Sequence, residues 1–209
     1  MDGKTCLSEI GGVAMSMISI RGLTKAFGAR VIFDNFSADI PANHITFISA
    51  PSGRGKSTLF HILLGLEPYQ AGEIRGMPEK KGVAFQTDCL CEQLSVIDNI
   101  RLVHPSLATT DILACLDKVG LLEDKDKKAS ELSGGMKRRL AVCRAMLSDA
   151  PILLLDEPFA GLDQVSKEKT IAMMEEYRHN RTLLIISHDP DDIQMMQKYV
   201  SSPVYRISL

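Results

Sequence analysis

The nine residues Ala50-Pro51-Ser52-Gly53-Arg54-Gly55-Lys56-Ser57-Thr58 limit what this chain can fold into more than any other stretch. Before them, His44 to Ala50 carries Ile45, Phe47 and Ile48 in a short apolar run, a strand signal. After them, Leu59, Ile62, Leu63 and Leu66 recur at helical spacing, with Gly65 near the end. A strand, a loop of small residues and a helix in that order form a phosphate-binding loop. The glycines let the backbone fold into a concave nest of N–H donors, and the helix adds its positive N-terminal end. Lys56 can then reach the β- and γ-phosphates of a nucleotide, and the Ser57 hydroxyl suits Mg²⁺, which prefers oxygen ligands. Pro51, Ser52, Gly53, Arg54, Gly55 and Thr58 complete the candidate nucleotide-binding set. The usual pattern, GxxxxGK followed by Ser or Thr, has Ala50 in its first glycine position. A Cβ is tolerable there if the backbone lies in the β region.

The rest of the chain alternates strand-like and helix-like segments. Ile18 and Ile20, then Val31 to Ile40, read as strands, as do Lys81 to Phe85, Ile152 to Leu155 and Thr182 to Ile186. Helices are expected over Thr110–Val119, Gly134–Ser148, Lys167–Arg178 and Asp191–Gln197, followed by a weak β tail. In the second of these, Met136, Leu140, Cys143 and Leu147 make one stripe. The Met173-Met174 and Met195-Met196 pairs read as packing. The six consecutive charges Glu123 to Lys128 read as a solvated loop or helix end. Such alternation predicts an α/β fold with a mostly parallel core sheet. Residues 1–14 lack a clear period and are expected to be a flexible N-terminal tail, with Met15 or Met17 as alternative starts. Residues 15–209 are expected to form one domain.

Ile152-Leu153-Leu154-Leu155-Asp156-Glu157 is a second informative string: a strand apolar on both faces that ends in two acids. The carboxyl ends of strands in α/β sheets face the ligand crevice. Asp156 is therefore placed to hold Mg²⁺. Glu157, one residue farther, is a candidate general base for a water attacking the γ-phosphate. A guanine-reading motif, Asn or Thr followed by Lys-x-Asp, is missing: Asn35, Asn43, Asn99 and Asn180 lack a following lysine, and Thr24-Lys25 continues to Phe27.

Leu132-Ser133-Gly134-Gly135-Met136, followed by Lys137-Arg138-Arg139, resembles the signature motif of ATP-binding cassette (ABC) ATPases. The resemblance is strongest to the nitrate/sulfonate/taurine importer group, and it runs from about Ile18 to Gln197. It implies a P-loop NTPase with an N-terminal antiparallel β part and an inserted α-helical subdomain over 87–135. It implies that Phe27 is the adenine-stacking aromatic. Gln86 is the Q-loop glutamine that senses Mg²⁺ and the attacking water, Asp163 belongs to the D-loop, and His188 is the switch histidine that holds the γ-phosphate and orients Glu157. It also implies a head-to-tail dimer in which Ser133, Gly134, Gly135 and Met136 of one copy close on the ATP of the other. The usual final glutamine of the signature is Met136 here. Read without the family, Ser133 is a good N-cap, and the two glycines leave N–H groups open at a helix start.

Composition narrows the setting. With 24 Lys+Arg against 26 Asp+Glu, the formal charge of −2 gives no overall footprint for nucleic acid, and none is expected as a partner. The longest uncharged stretch, Ile40 to Gly53, contains Pro41, Asn43, His44 and Pro51 and is too short to span a bilayer. Asp2 and Glu9 argue against a secretory leader. Five cysteines without a CxxC pair read as reduced thiols. With the resemblance, the expected protein is an ATP- and Mg²⁺-dependent ATPase subunit on the cytoplasmic face of the membrane. The resemblance implies as partners a second copy, an integral permease and a solute-binding protein, with import of a small solute as the work done. It also implies that the segment Thr87 to Asp98, with Cys89, Cys91, Glu92 and Gln93, is the docking surface. An ABC ATPase driving a non-transport membrane complex, or one associated with nucleic acid, is the alternative. No sustained heptads favour the latter.

Overall fold

Two sheets carry the architecture of the computed structural model, which describes residues 18–51 and 53–209. The tail expected over 1–14, the alternative starts and Ser52 fall outside those residues. The first sheet is antiparallel, in the order β2 (Arg30–Ile40), β1 (Ile18–Phe27), β4 (Ala71–Arg75). The second is parallel throughout, in the order β5 (Lys81–Ala84), β6 (Ile152–Asp156), β7 (Thr182–Ile186), β3 (Ile45–Ser49), β8 (Val204–Ser208). The expected α/β layout with a parallel core and an antiparallel N-terminal part is therefore the observed one.

The parallel sheet is covered on both faces, and β6 shows why its first four positions are all apolar. Leu153 and Leu155 join one buried cluster, made with Phe47, Leu183, Ile185 and the later helices. Ile152 and Leu154 join the other, made with Ile48, Leu184, Ile186, the helix after the phosphate loop and the antiparallel sheet. With a side-chain period of two, a strand buried on both faces needs an apolar residue everywhere.

Helix α1 (Lys56–Leu64) packs Leu59, Ile62 and Leu63 into that second cluster and stops at Gly65, whose φ of 77° makes a left-handed C-cap. Leu66, expected on the same stripe, lies beyond this stop and is 63% exposed. Between β5 and the signature stand α2 (Val96–Arg101), α3 (Thr109–Lys118) and two 3₁₀ turns, Leu122–Asp124 and Ala129–Glu131. The charged run thus starts in a turn rather than a regular helix. Helix α4 (Gly134–Met146) ends two residues before the expected Ser148. Helix α5 (Gln164–Arg178) begins three residues earlier than its apolar period, because the Asp163 side chain caps it by accepting from the Ser166 N–H. Helix α6 (Pro190–Tyr199) starts on its proline. The paired methionines Met173, Met174, Met195 and Met196 are buried.

Strand β4 had no sequence signal. Only Ile74 of its five residues is even partly buried, so no alternation shows. Gly72 permits the pairing: a Cβ there would lie 2.7 Å from the backbone of Gly22 and Leu23.

Candidate functional site

The loop between β3 and α1 is shaped by what glycine leaves out. Gly55, the N-cap of α1, has φ 97°, and a Cβ there would meet Ile32 Cγ2 at 2.6 Å and Phe33 Cζ at 2.9 Å. The loop can therefore lie tight on β2. Gly55 has no side chain to cap the helix, and the first turn holds no acid, so the leading N–H groups are open to an anion. The Lys56 ammonium donates to the carbonyls of Ala50 (2.6 Å) and Pro51 (3.3 Å). Ala50 is not among the residues with positive φ, which is how alanine fits the first glycine position. Arg54 is exposed, and its N–H donates to the Pro51 carbonyl.

A cleft of about 590 Å³ brings together Phe27, Gly53, Gly55, Lys56, Ser57, Thr58, Gln86, Asp156, Glu157 and His188. They come from five separate parts of the sequence. Sequence reasoning missed two other lining residues, Arg30 and Ile32. The Arg30 guanidinium donates to the Gly53 carbonyl at 3.0 Å.

Asp156 ends β6 and Glu157 follows it; both line this cleft and both are buried. Burial, and then the neighbouring Glu157 charge, push the Asp156 carboxyl up to about 6. His61, Arg138 and Lys56 pull the other way. Among the described residues, no group donates a hydrogen bond to the Asp156 carboxylate. A buried anion without donors, beside the Ser57 hydroxyl and the Gln86 amide, is a set of hard oxygen ligands that fits Mg²⁺. Among the described residues no three His, Cys, Asp or Glu side chains converge. The set therefore suits an ion whose shell is completed by phosphate and water.

Glu157 has φ 51°, a left-handed backbone that costs a non-glycine residue about 1 kcal/mol or more. Its N–H is spent on the Ile186 carbonyl of β7 at 2.9 Å. The side chain meets His188 Nδ1 at 2.8 Å from Oε1. An ionised carboxylate only accepts, so Nδ1 carries the proton in this contact, and among the described residues the other ring nitrogen makes no hydrogen bond. The residues flanking His188 are held by a buried network. The Ser187 hydroxyl donates to Asp192 (2.6 Å), and Lys167 of α5 reaches both Asp189 (3.0 Å) and Asp192 (2.9 Å).

Gln86 is exposed at the cleft edge, and its loop is tied to α4 by arginines that sequence reasoning also missed. Arg138 donates to the carbonyls of Phe85 (2.7 Å) and Gln86 and pairs with Asp88 at 3.2 Å. Arg144 donates to the carbonyls of Asp88 and Cys89, both at 3.0 Å. These contacts join residues fifty or more apart, so no local pattern could announce them.

The predicted signature and D-loop residues, Ser133, Gly134, Gly135, Met136 and Asp163, do not line the cleft. Ser133 caps α4, its hydroxyl accepting from the Met136 N–H at 3.3 Å. Ser133 and Gly134 are exposed, and the Met136 side chain packs on the core. Gly135 faces the Gly161 carbonyl and Leu162, where a Cβ would lie 3.4 Å and 3.5 Å away. The signature turn thus rests on the D-loop. Asp163 sits at that loop's end, its carboxyl held below the usual range by hydrogen bonds from Ser166.

Comparisons with known proteins bear on the family and the fold. A family profile described as ABC transporter matches residues 33–160. The aliphatic sulfonates import ATP-binding protein SsuB 2 of Rhodococcus jostii (strain RHA1) is 36% identical over 181 residues, covering 84% of this chain and 73% of that protein. Its namesake in Burkholderia cenocepacia (strain HI2424) is 30% identical over 203 residues, covering 92% and 75%. Among solved structures, the dimeric bacterial ABC transporter cassette MJ0796 superposes with a TM-score of 0.76 at 22% identity, covering 91% of this chain and 94% of that one. A bacterial Atm1-family ABC exporter with ATP bound gives 0.76 at 22% identity, covering 87% and 36%. At these identities the two structures share the fold.

Proposed function

The chain belongs to the ABC transporter family and is an ATPase, and from that premise we propose that it powers a membrane importer of a small solute. The observation that carries the catalytic reading is the cleft itself: Lys56, Gln86, Asp156, Glu157 and His188 line one space, with a 2.8 Å contact between Glu157 and His188.

In this reading, ATP lies with its base on Phe27 and its phosphates in the loop, against the open N–H groups of α1 and the Lys56 ammonium. Lys56 exchanges its bonds to the Ala50 and Pro51 carbonyls for phosphate oxygens. Ser57, Asp156 and Gln86 would hold Mg²⁺, which when bound neutralises charge between the β- and γ-phosphoryl oxygens. Glu157 orients the attacking water and accepts its proton. His188, steadied by its bond to Glu157, presents its other ring nitrogen to the γ-phosphate, and to donate there that nitrogen must also carry a proton. The work is mostly positioning and charge stabilisation.

The exposed Ser133–Gly134–Gly135 turn acts on the partner copy's nucleotide in a head-to-tail dimer, with Met136 holding the turn from below and Asp163 beside it. ATP closes the pair and hydrolysis releases it. Residues 87–135 act as a helical subdomain that follows Gln86. Its segment Thr87 to Asp98, where Cys89, Cys91, Glu92 and Gln93 are exposed, docks the permease. Among the described residues no helix is long and apolar enough to cross a membrane, which fits a peripheral subunit on the cytoplasmic face with the span supplied by the permease. The names of the sulfonate-import relatives favour the nitrate/sulfonate/taurine importer group, and a solute-binding protein is the further partner this reading expects.

Glu157→Gln tests the mechanism. The variant should bind ATP, accumulate as an ATP-bound dimer in sedimentation, and release phosphate at least about a hundredfold more slowly. Wild-type turnover in the assembled complex would refute the assignment.

A further inference from the structure

We propose that Lys25 is a positioning residue for the nucleobase, acting through Phe27, a role that rests on the ATP-site reading above. Lys25 and Phe27 are two apart on β1 and so share a face of the strand. The Lys25 ammonium stands 4.3 Å from the centroid of the Phe27 ring. Lys25 is buried, at 4% exposure, whereas Phe27 is 49% exposed and lines the cleft. The ammonium therefore covers the inner face of the ring and leaves the outer face to the cleft. A cation over one face draws the ring's negative quadrupole toward itself, and it does so most strongly where water is excluded. The opposite face becomes less electron-rich and a better platform for an electron-rich purine.

The surrounding contacts fix this arrangement in place. The ammonium is anchored on its far side by the Glu67 carboxylate at 2.5 Å and the Pro68 carbonyl at 2.7 Å. The Gln70 side-chain amide bonds both backbone groups of Ala26, at 3.0 Å each, and the Gln70 N–H donates to the Thr24 carbonyl at 3.0 Å. Residues 67–70 thus clamp the end of β1 directly behind the ring. This clamp follows α1, whose other end forms the phosphate loop. One helix therefore sets both ends of the nucleotide: its N-terminus faces the phosphates, and the loop after its C-terminus holds the platform for the base.

The experiment measures binding of ATP and of inorganic tripolyphosphate by calorimetry, the ratio isolating the contribution of nucleoside from that of phosphate. Lys25→Met should weaken ATP about tenfold and leave tripolyphosphate unchanged. The same change in a Phe27→Leu background should have no further effect on ATP, since the ring through which Lys25 acts is gone. Equal losses for both ligands, or an unchanged ATP affinity, would overturn the proposal. Should Lys25→Met fail to fold, Glu67→Gln serves instead: freeing the ammonium should lower the ratio about threefold, and an unchanged ratio overturns the idea equally. A wild-type protein that binds ATP no better than tripolyphosphate would show that the base does not stack on Phe27. That is a failure of the underlying reading, distinct from a failure of the part given to Lys25.

Discussion

Helices α1 and α4 both offer an N-terminus to an anion, and they are built in opposite ways. α1 begins on Gly55 at φ 97°, pressed against Ile32 and Phe33, with nothing of its own to fill the helix end and Lys56 beside it. α4 begins on Ser133, which caps its own helix through the Met136 N–H and lies exposed. The cations that follow it are already occupied: Lys137 with Glu92, Arg138 with the Gln86 loop, and Arg139 with the Val119 carbonyl. The first helix end is a site complete within one chain. The second keeps only its backbone dipole, glycine clearance and one hydroxyl for a visitor, so it becomes useful when another molecule brings the charge to it.

The difference can be broken by substitution. Lys56→Ala should cost the first site about a hundredfold in ATP affinity by calorimetry, roughly 2.7 kcal/mol. A loss under threefold would mean that the open helix end alone holds the phosphates. Ser133→Ala should leave single-chain ATP affinity within about twofold while lowering phosphate release by the assembled pair about tenfold. Equal loss of both would make α4 part of the in-chain site and erase the contrast.

The smallest effect sharpens the electrostatics. The Asp156 carboxyl sits at about 6 in the fold against an ordinary 3.8, so its ionisation costs stability. That cost is absent at low pH, grows as pH rises from the ordinary value, and is complete above the folded one. Asp156→Asn should therefore stabilise the nucleotide-free protein by about 1 kcal/mol at pH 8 and by nothing at pH 4, in denaturant melts; the figure is discounted because the cleft admits water. The same variant should lose Mg²⁺-dependent tightening of nucleotide binding. Equal stability at both pH values would show that a partner already neutralises the carboxylate.

What could be read in advance follows the same division. The phosphate loop, the acid-tipped strand and the N-cap at Ser133 are contiguous strings, and their chemistry demands neighbours in sequence, so they show. The parallel sheet was legible because β6 and β7 each carry four consecutive apolar residues. Strand β4 was invisible because its edge position asks for almost no apolar residue. Leu66 misled because an apolar residue in helical phase says nothing about the left-handed glycine just before it. Arg138, Arg144 and Lys167 were missed for a different reason. They act on carbonyls and carboxylates brought near by the fold, and an arginine in a basic helix looks the same whether it meets water or a loop fifty residues away.

Glu157 holds its side chain over the cleft from a backbone conformation that glycine or asparagine would adopt with less strain. On the catalytic role proposed for Glu157, heat resistance and turnover therefore ask for different residues at this one position. A laboratory selection for thermal survival alone should enrich Glu157→Gly and Glu157→Asn, and the chains it returns should be sturdier and idle.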